Sequence, residues 1–179
     1  DLFLVLARAG GMGLPDEAVK FYAGSILLGL ETLHDRHIIF RDLKPENVML
    51  DGQGYCKIID LGISKKLDGT MRTFTIIGSF HYMAPEVADP ASGYGTEADL
   101  WSLGIVLFEL VCGFLPFGSN FHPLDQRVQI MAAVRDENLN FSRDRRLDET
   151  RTLNAARFMT PHPGRWENRV VGGMRPYPI

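Results

Sequence analysis

The stretch Phe40-Arg41-Asp42-Leu43-Lys44-Pro45-Glu46-Asn47 decides how the rest of the chain is interpreted. It lies between two apolar runs, Ile38-Ile39-Phe40 and Val48-Met49-Leu50, which are typical of short buried strands or turns. Polar side chains packed between buried segments must be hydrogen-bonded, paired or bound to a metal. The stretch is therefore the first candidate for a functional site.

Three side chains of this stretch fit one kind of chemistry. Asp42 can accept a proton, and Asn47 can supply an oxygen to a hard cation. Lys44 can face a phosphate as a point charge. Together they predict a site for a metal ion and a phosphate group.

Composition limits the class of protein. The chain has 179 residues, 45% of them apolar and 10% aromatic, which suffices for one domain with a core. A net charge of −3 gives no argument for nucleic acid or an anionic membrane surface. Cys56 and Cys112 lack metal-ligand spacing, which favours reduced, buried thiols over a disulfide or zinc site. The apolar run 2–7 is too short for a membrane span and follows no basic segment, so we expect a cytoplasmic protein.

The first half of the chain predicts a strand, a long helix and a hairpin. Asp1–Ala9 is predicted as a buried strand that ends in a glycine-rich turn. An amphipathic helix is predicted from Pro15 to about Asp35, because a proline and two acids open it and apolar residues then follow the helical rhythm. Asp51-Gly52-Gln53-Gly54 predicts a tight turn before a second short strand, Tyr55–Ile59.

This hairpin would bring Asn47 and Asp60 side by side, next to Asp42. An amide oxygen and a carboxylate predict a Mg²⁺ site, completed by waters and substrate phosphates. A capped turn with solvated polar residues is the better interpretation of Asp60 alone, but not of the three residues together.

The second half predicts a functional loop and a core helix. Lys65–Phe80 is a hydroxyl-rich polar segment without periodicity, and loops of this length are usually functional or disordered. Thr96 is predicted to cap a helix that is apolar on nearly all sides from Leu100 to Cys112, as in a buried core helix. Asp99, near its start, must be satisfied, most simply by backbone N–H groups. Leu124–Val134 predicts one more amphipathic helix.

Four motifs, in this order and spacing, carry a family resemblance. Phe40–Asn47 resembles the catalytic loop of protein kinases, and Asp60-Leu61-Gly62 resembles their metal-binding D-F-G motif. Ala84-Pro85-Glu86 resembles their A-P-E motif, and Asp99–Gly104 the start of the buried helix at the centre of their C-terminal lobe. The resemblance covers roughly residues 1–135.

The resemblance implies a protein-kinase-like α+β fold. The chain would be a mostly α-helical C-terminal lobe, with a short β-hairpin that carries the catalytic and metal-binding loops. Residues 1–135 would run from the hinge, at Ala7–Met12, to an αG-like helix, and residues 136–179 would be a poorly matching part of the lobe or an irregular tail. The chain begins with Asp1 and shows no Gly-rich loop or strand Lys, so the N-lobe is expected to be absent from it.

The implied function is that of a Ser/Thr protein kinase, which transfers the γ-phosphoryl group of ATP to a protein hydroxyl with Mg²⁺ as cofactor. Asp42 would accept or orient the hydroxyl proton, and Lys44 would stabilise the transferred group. Asn47 and Asp60 would hold Mg²⁺. The fragment alone is expected to be weakly active or inactive, and a non-catalytic, pseudokinase-like binding module is the alternative. A metal-dependent phosphohydrolase would leave the A-P-E motif and the core helix unexplained.

The activation loop, residues 65–80, points to a subfamily. Phe40 before Arg-Asp and the segment 72–79 resemble the cyclic-nucleotide-dependent kinases of the AGC group. By this match Thr75 would be the activating phosphosite, with Thr73 as the competing acceptor, and Arg41 would form the phosphate pocket. A loop that is never phosphorylated is a further alternative.

The same match implies substrate-binding residues. Ser79 would hydrogen-bond near Asp42 and help to select a Ser/Thr hydroxyl. Glu46 and Glu109 match acids that bind basic residues upstream of the target hydroxyl. The expected partners are therefore protein substrates with basic residues near the target, besides an N-lobe or regulatory domain of the full-length chain. No nucleic acid or membrane span is expected.

Two acids would act as structural supports, and two positions depart from the family pattern. Asp99 would support the catalytic loop, and Glu86 would support the A-P-E motif, with Arg165 as its candidate partner. Leu61 replaces the usual Phe as a mild apolar change. Phe80 replaces the usual Pro and would reshape the pocket for the residue after the target.

Overall fold

The computed structural model describes residues 1–88, 91 and 93–117. In this part of the chain the helices are α1 (Leu2–Arg8), α2 (Asp16–His34) and α3 (Glu97–Cys112), and the strands are β1 (Ile38–Ile39), β2 (Val48–Leu50), β3 (Cys56–Ile58) and β4 (Lys65–Lys66). Single 3₁₀ turns cover Pro45–Asn47, Phe80–Tyr82 and Pro85–Ala88. The predicted helix over 124–134, the rest of the predicted C-lobe to 135 and the segment 136–179 lie outside the described residues.

The prediction of a strand over Asp1–Ala9 is wrong, because residues 2–8 form helix α1. The Asp1 carboxylate caps this helix by accepting a 2.8 Å hydrogen bond from the backbone N–H of Leu4. Leu2 and Leu6, one helical turn apart, are its buried residues. A short apolar run without polar positions cannot distinguish a strand from a buried helix, which explains the error. Residues 7–12, where the hinge is expected, form the end of α1 and a glycine turn.

Helix α2 confirms the prediction of a helix between Pro15 and Asp35. Asp16 and Glu17 lie in its first turn, at the positive end of the helix dipole. Its buried face packs against α3 and β3, and the buried residues are Ala18, Val19, Phe21, Tyr22, Ala23, Gly24, Ile26 and Leu30. The helix therefore delivers the chain, at His34, to the catalytic loop.

Two small antiparallel sheets hold the catalytic loop. Strands β2 and β3 form the predicted hairpin, with Val48 opposite Ile58 and Leu50 opposite Cys56. Strand β1 precedes the loop and pairs with β4 through Ile39 and Lys65. The sequence did not predict β4, because two consecutive lysines show no strand pattern. These residues form a strand because the chain returns to β1 at this point.

Helix α3 is the central core helix that the sequence predicted. Twelve of its residues are buried, including Asp99 and Glu109. Gly113 ends it in the left-handed conformation (φ +81°) that glycine adopts without strain. The Thr96 side chain makes no capping hydrogen bond, contrary to expectation. The Glu97 carboxylate instead accepts a 3.1 Å hydrogen bond from the N–H of Gly95. Among the helices described, none combines the length and the apolar character that crossing a bilayer requires.

Candidate active site

Asp99 holds the start of the catalytic loop. One carboxylate oxygen accepts the backbone N–H of Phe40 and the other that of Arg41, each at 2.8 Å. His34 Nε2 lies 2.8 Å from Oδ2 of the same carboxylate. Asp99 has 0% of its surface exposed, and three partners offset the cost of burying it. The backbone partners expected for Asp99 are therefore present, and they tie α3 to the catalytic loop.

Asp42 is the centre of the polar cluster. Its Oδ1 accepts hydrogen bonds from the Ser79 hydroxyl at 2.7 Å and the Ser79 N–H at 3.1 Å. Its Oδ2 accepts from Lys44 Nζ at 2.9 Å and from Asn47 Nδ2 at 3.0 Å. Four donors on one carboxylate fix its orientation.

The Ser79 hydroxyl lies between a carboxylate and a cation. It donates to Asp42 Oδ1 and accepts a 3.0 Å hydrogen bond from Lys44 Nζ. A substrate hydroxyl about to attack a phosphorus atom needs the same two neighbours, a carboxylate for its proton and a cation for the phosphoryl charge. The three predicted residues are thus brought together in an arrangement suited to phosphoryl transfer.

Asn47 and Asp60 are the two residues predicted to offer oxygens to a metal ion. Asn47 donates through Nδ2 to the backbone carbonyl of Asp42 at 2.8 Å, which leaves its amide oxygen for a cation. The N–H of Ile59 donates to the Asn47 carbonyl at 2.9 Å. Asp60 is the next residue along the chain, so this bond keeps its backbone near Asn47. Asp60 adopts a left-handed backbone (φ +63°) and is exposed.

The donor set fits magnesium. Within the described residues no three His, Cys, Asp or Glu side chains converge as a metal cage. An amide oxygen and a carboxylate are hard ligands of the kind that Mg²⁺ takes, and proteins usually complete such a site with phosphate oxygens and waters.

Arg41 and the two candidate phosphosites meet at Tyr94. The Arg41 side chain donates through Nε to the carbonyl of Ile63 at 2.6 Å, and its positive charge acts on the nearby Tyr94 hydroxyl. Burial raises the pKa of Tyr94, and the guanidinium lowers it in part. The Tyr94 hydroxyl donates to the carbonyl of Thr75. Arg41 and Thr75 are therefore linked through one side chain.

Thr73 and Thr75 differ in accessibility. Thr73 is 1% exposed, and its backbone pairs with that of Tyr94 in an isolated bridge. Its hydroxyl receives a 3.2 Å hydrogen bond from Lys65 Nζ. Thr75 is exposed. A modifying enzyme can therefore reach Thr75, but not Thr73, without unfolding this part of the loop.

Glu109 is buried on α3 beside an unpredicted partner. Its carboxylate accepts a 2.8 Å hydrogen bond from the Tyr82 hydroxyl, and 7% of its surface is exposed. Burial raises the pKa of Glu109 to about 6, although the bond from Tyr82 lowers it and the charge of Glu46 raises it further. Burial and the two acids also raise the pKa of Tyr82. Glu46 is exposed, so the pair of acids has one open side.

Glu109 should make stability depend on pH. Its folded-state pKa of about 6 lies above the ordinary 4.5, so the folded chain binds this proton more tightly than the unfolded chain. The stabilisation is complete below the ordinary value and is lost as the pH rises through about 6. From about pH 4 to about pH 7, wild type should lose about 2 kcal/mol of unfolding free energy relative to Glu109→Gln.

Urea unfolding at both pH values measures this difference. Gln keeps an acceptor for the Tyr82 hydroxyl, so the variant removes the titration and not the hydrogen bond. Parallel pH dependence of the two proteins would contradict the expectation.

Glu86 lies half-buried in the 3₁₀ turn Pro85–Ala88. Its candidate partner Arg165 lies outside the described residues, so their pairing stays a prediction.

Four residues near the site were not predicted. His34, Lys65, Tyr82 and Tyr94 each bond a predicted site residue or a competing one. Only Tyr82 had an indirect signal, because a glutamate inside an apolar helix requires a partner. The other three are ordinary residues at the end of a helix, in a polar segment and between two glycines.

Comparison with known proteins gives the family. Residues 1–160 match the protein kinase domain family. The cGMP-dependent protein kinase of Plasmodium berghei (strain Anka) is 54% identical over 101 residues, which cover 56% of this chain and 11% of that protein. The cGMP-dependent protein kinase of Eimeria tenella is 52% identical over 120 residues, which cover 67% of this chain and 12% of that protein. The cAMP-dependent protein kinase catalytic subunit of Dictyostelium discoideum is 45% identical over 106 residues, which cover 59% of this chain and 16% of that protein.

These relatives confirm the resemblance to the cyclic-nucleotide-dependent kinases. The matches span only 11%, 12% and 16% of the relatives' own lengths, so the chain corresponds to a small part of each. The family match, in contrast, extends over residues 1–160 of the 179 and includes the whole polar cluster around Asp42. The chain belongs to the protein kinase family.

Proposed function

We propose that this chain is the catalytic-loop and substrate-binding part of a Ser/Thr protein kinase, which transfers the γ-phosphoryl group of ATP to a protein hydroxyl. The observation that carries the proposal is the position of the Ser79 hydroxyl, 2.7 Å from Asp42 Oδ1 and 3.0 Å from Lys44 Nζ. A substrate Ser or Thr hydroxyl at this place would meet a carboxylate and a cation at once.

The residues would divide the chemistry as follows. Asp42 orients the acceptor hydroxyl and takes its proton as the new oxygen–phosphorus bond forms, while the bond from the γ-phosphorus to the bridging oxygen breaks and ADP leaves. Lys44 would offset the negative charge of the transferred group. The transition state of phosphoryl transfer is loose and highly charged, so positioning and charge neutralisation supply most of the catalysis.

Asn47 and Asp60 would hold Mg²⁺ on the ATP phosphates. The bound ion would neutralise phosphate charge and align the γ-phosphoryl group with the acceptor hydroxyl. The Asn47 side chain would serve two purposes, because its nitrogen donates to Asp42 and its oxygen would be left for the cation. Loss of this amide should therefore affect both nucleotide binding and the orientation of Asp42.

Glu46 and Glu109 would bind a basic residue of the protein substrate. Their mutual repulsion is one cause of the raised pKa of Glu109, and a substrate arginine or lysine would relieve it. A cation placed between Glu46 and Glu109 would lower the pKa of Glu109. Peptides with a basic residue should therefore bind more weakly once the pH falls below about 6.

Thr75 would be the activating phosphosite. Thr75→Ala should leave the activation loop without its phosphate and lower kcat, because Arg41 then has no anion to pair with. Thr73→Ala is the matched control, since Thr73 is 1% exposed. Phosphopeptide mass spectrometry of the full-length protein should find phosphate on Thr75 and not on Thr73. Phosphate on Thr73 alone would contradict the assignment.

The test of the function is transfer of phosphate from ATP by the full-length gene product. We expect Mg²⁺-dependent labelling of peptides with a basic residue upstream of a Ser, and no labelling when Tyr replaces that Ser. The activity belongs to the whole protein, because the chain spans 11% and 12% of the two cGMP-dependent relatives. Absence of transfer together with absence of Mg-ATP binding by calorimetry would favour the pseudokinase alternative.

A further inference from the structure

Gly78 lies where the activation loop passes over the catalytic loop. Its φ of +114° is in a region that side-chain-bearing residues rarely adopt. A Cβ built on Gly78 would lie 2.4 Å from the backbone carbonyl oxygen of Arg41. That oxygen belongs to the backbone, so it cannot move aside as a flexible side chain would. Only glycine allows the two loops to approach this closely.

The next residue makes the contact that the proposed chemistry uses. Ser79 places its N–H 3.1 Å and its hydroxyl 2.7 Å from Asp42 Oδ1. Relieving the clash of a Cβ at position 78 would require a backbone shift of about 1 Å to reach ordinary contact distance. Ser79 is covalently joined to Gly78, so it would move with it. Both hydrogen bonds to Asp42 would then become too long.

We propose that Gly78 is a positioning residue for phosphoryl transfer: its missing side chain lets the activation loop bring Ser79 into register with Asp42. The proposal rests on the proposed kinase function and deepens it. Gly78 has no side chain of its own, so its effect would pass through Ser79. A shift of about 1 Å in a reacting geometry can cost on the order of a hundredfold in rate.

The activity test uses Gly78→Ala in the full-length protein, with Gly69→Ala as the matched control. Gly69 lies in the same loop, has nothing within 4 Å of a built Cβ among the described residues, and carries no left-handed φ. We expect kcat for peptide phosphorylation to fall by roughly 10- to 100-fold in Gly78→Ala. The KM for Mg-ATP should not change, because Asn47 and Asp60 are untouched. Gly69→Ala should behave as wild type.

A double-mutant cycle with Ser79→Ala separates positioning from a general structural role. If Gly78 acts through Ser79, adding Gly78→Ala to Ser79→Ala should cost much less than it does in wild type. An unchanged cost would overturn the proposal, as would full kcat in Gly78→Ala. Should Gly78→Ala fail to fold, Ser79→Ala alone decides. A reduced kcat supports the role of the contact, and an unchanged kcat overturns it.

A second readout does not depend on activity. Amide hydrogen exchange at Ser79 reports the bond from its N–H to Asp42, and should accelerate about tenfold in Gly78→Ala but not in Gly69→Ala. If wild type transfers no phosphate, the kinase function fails while this measurement still tests whether Gly78 sets the Ser79–Asp42 contact. If transfer occurs but exchange at Ser79 is unchanged, the positioning role fails and the function stands.

Discussion

Replacing Asp42 with Asn should reduce the kcat of the full-length protein by roughly 100- to 10,000-fold. The amide cannot take the proton of the acceptor hydroxyl. In wild type Oδ1 accepts from Ser79, and Oδ2 accepts from Lys44 and Asn47. In either orientation of the new amide, its NH₂ group would therefore face a hydrogen-bond donor in place of an acceptor. The variant therefore loses both the base and the orientation of the cluster. Steady-state transfer from labelled ATP to a Ser-containing peptide measures the loss.

Asp68→Asn is the control for this variant. Asp68 is an exposed aspartate of the activation loop whose carboxylate bonds only Thr70 among the described residues, so activity should stay near that of wild type. The affinity for Mg-ATP should change little in Asp42→Asn, because Asn47 and Asp60 are retained. Wild-type turnover in Asp42→Asn would remove Asp42 from the mechanism.

Replacing Asp99 with Ala should have the largest effect on stability, a loss of about 3–5 kcal/mol of unfolding free energy. The change would leave the buried N–H of Phe40 and the part-buried N–H of Arg41 without their acceptor, and His34 without its partner. It would also leave a cavity, because Asp99 is fully buried. The catalytic loop would lose its attachment to α3 at the same time.

Asp99→Asn gives a graded comparison. The amide oxygen of Asn can still accept one backbone N–H, but its NH₂ group cannot accept the other. The unfolding free energy of Asp99→Asn should therefore lie between those of wild type and Asp99→Ala. Chemical denaturation of the chain measures the order, with Asp68→Ala as a surface control that should unfold near the wild-type midpoint. Equal midpoints for Asp99→Ala and wild type would mean that the bonds to Phe40 and Arg41 contribute nothing to stability.

The elements that the sequence predicted correctly are those with a strong local pattern. Helix α2 has a proline and acids at its start and a continuous apolar face, and the β2–β3 hairpin has a glycine turn between two apolar runs. Helix α3 is recognisable because it has almost no polar face and ends at a glycine. Helix α1 was not predicted, because seven mostly apolar residues show no hydrophobic periodicity that separates a helix from a strand.

Local spacing was enough to predict the central residues of the candidate site, because Asp42, Lys44 and Asn47 lie within one short loop. Which distant groups meet these three residues depends on the tertiary structure. The hydrogen bond between Asp99 and Phe40 joins residues 59 positions apart in the sequence. The bonds from Ser79 to Asp42 and from Tyr82 to Glu109 span 37 and 27 positions. The same holds for the burial of Thr73, the exposure of Thr75 and the close approach of Gly78 to Arg41. Hydrogen bonds between residues far apart in sequence depend on the path of the whole chain, and no local period or turn signal records that path.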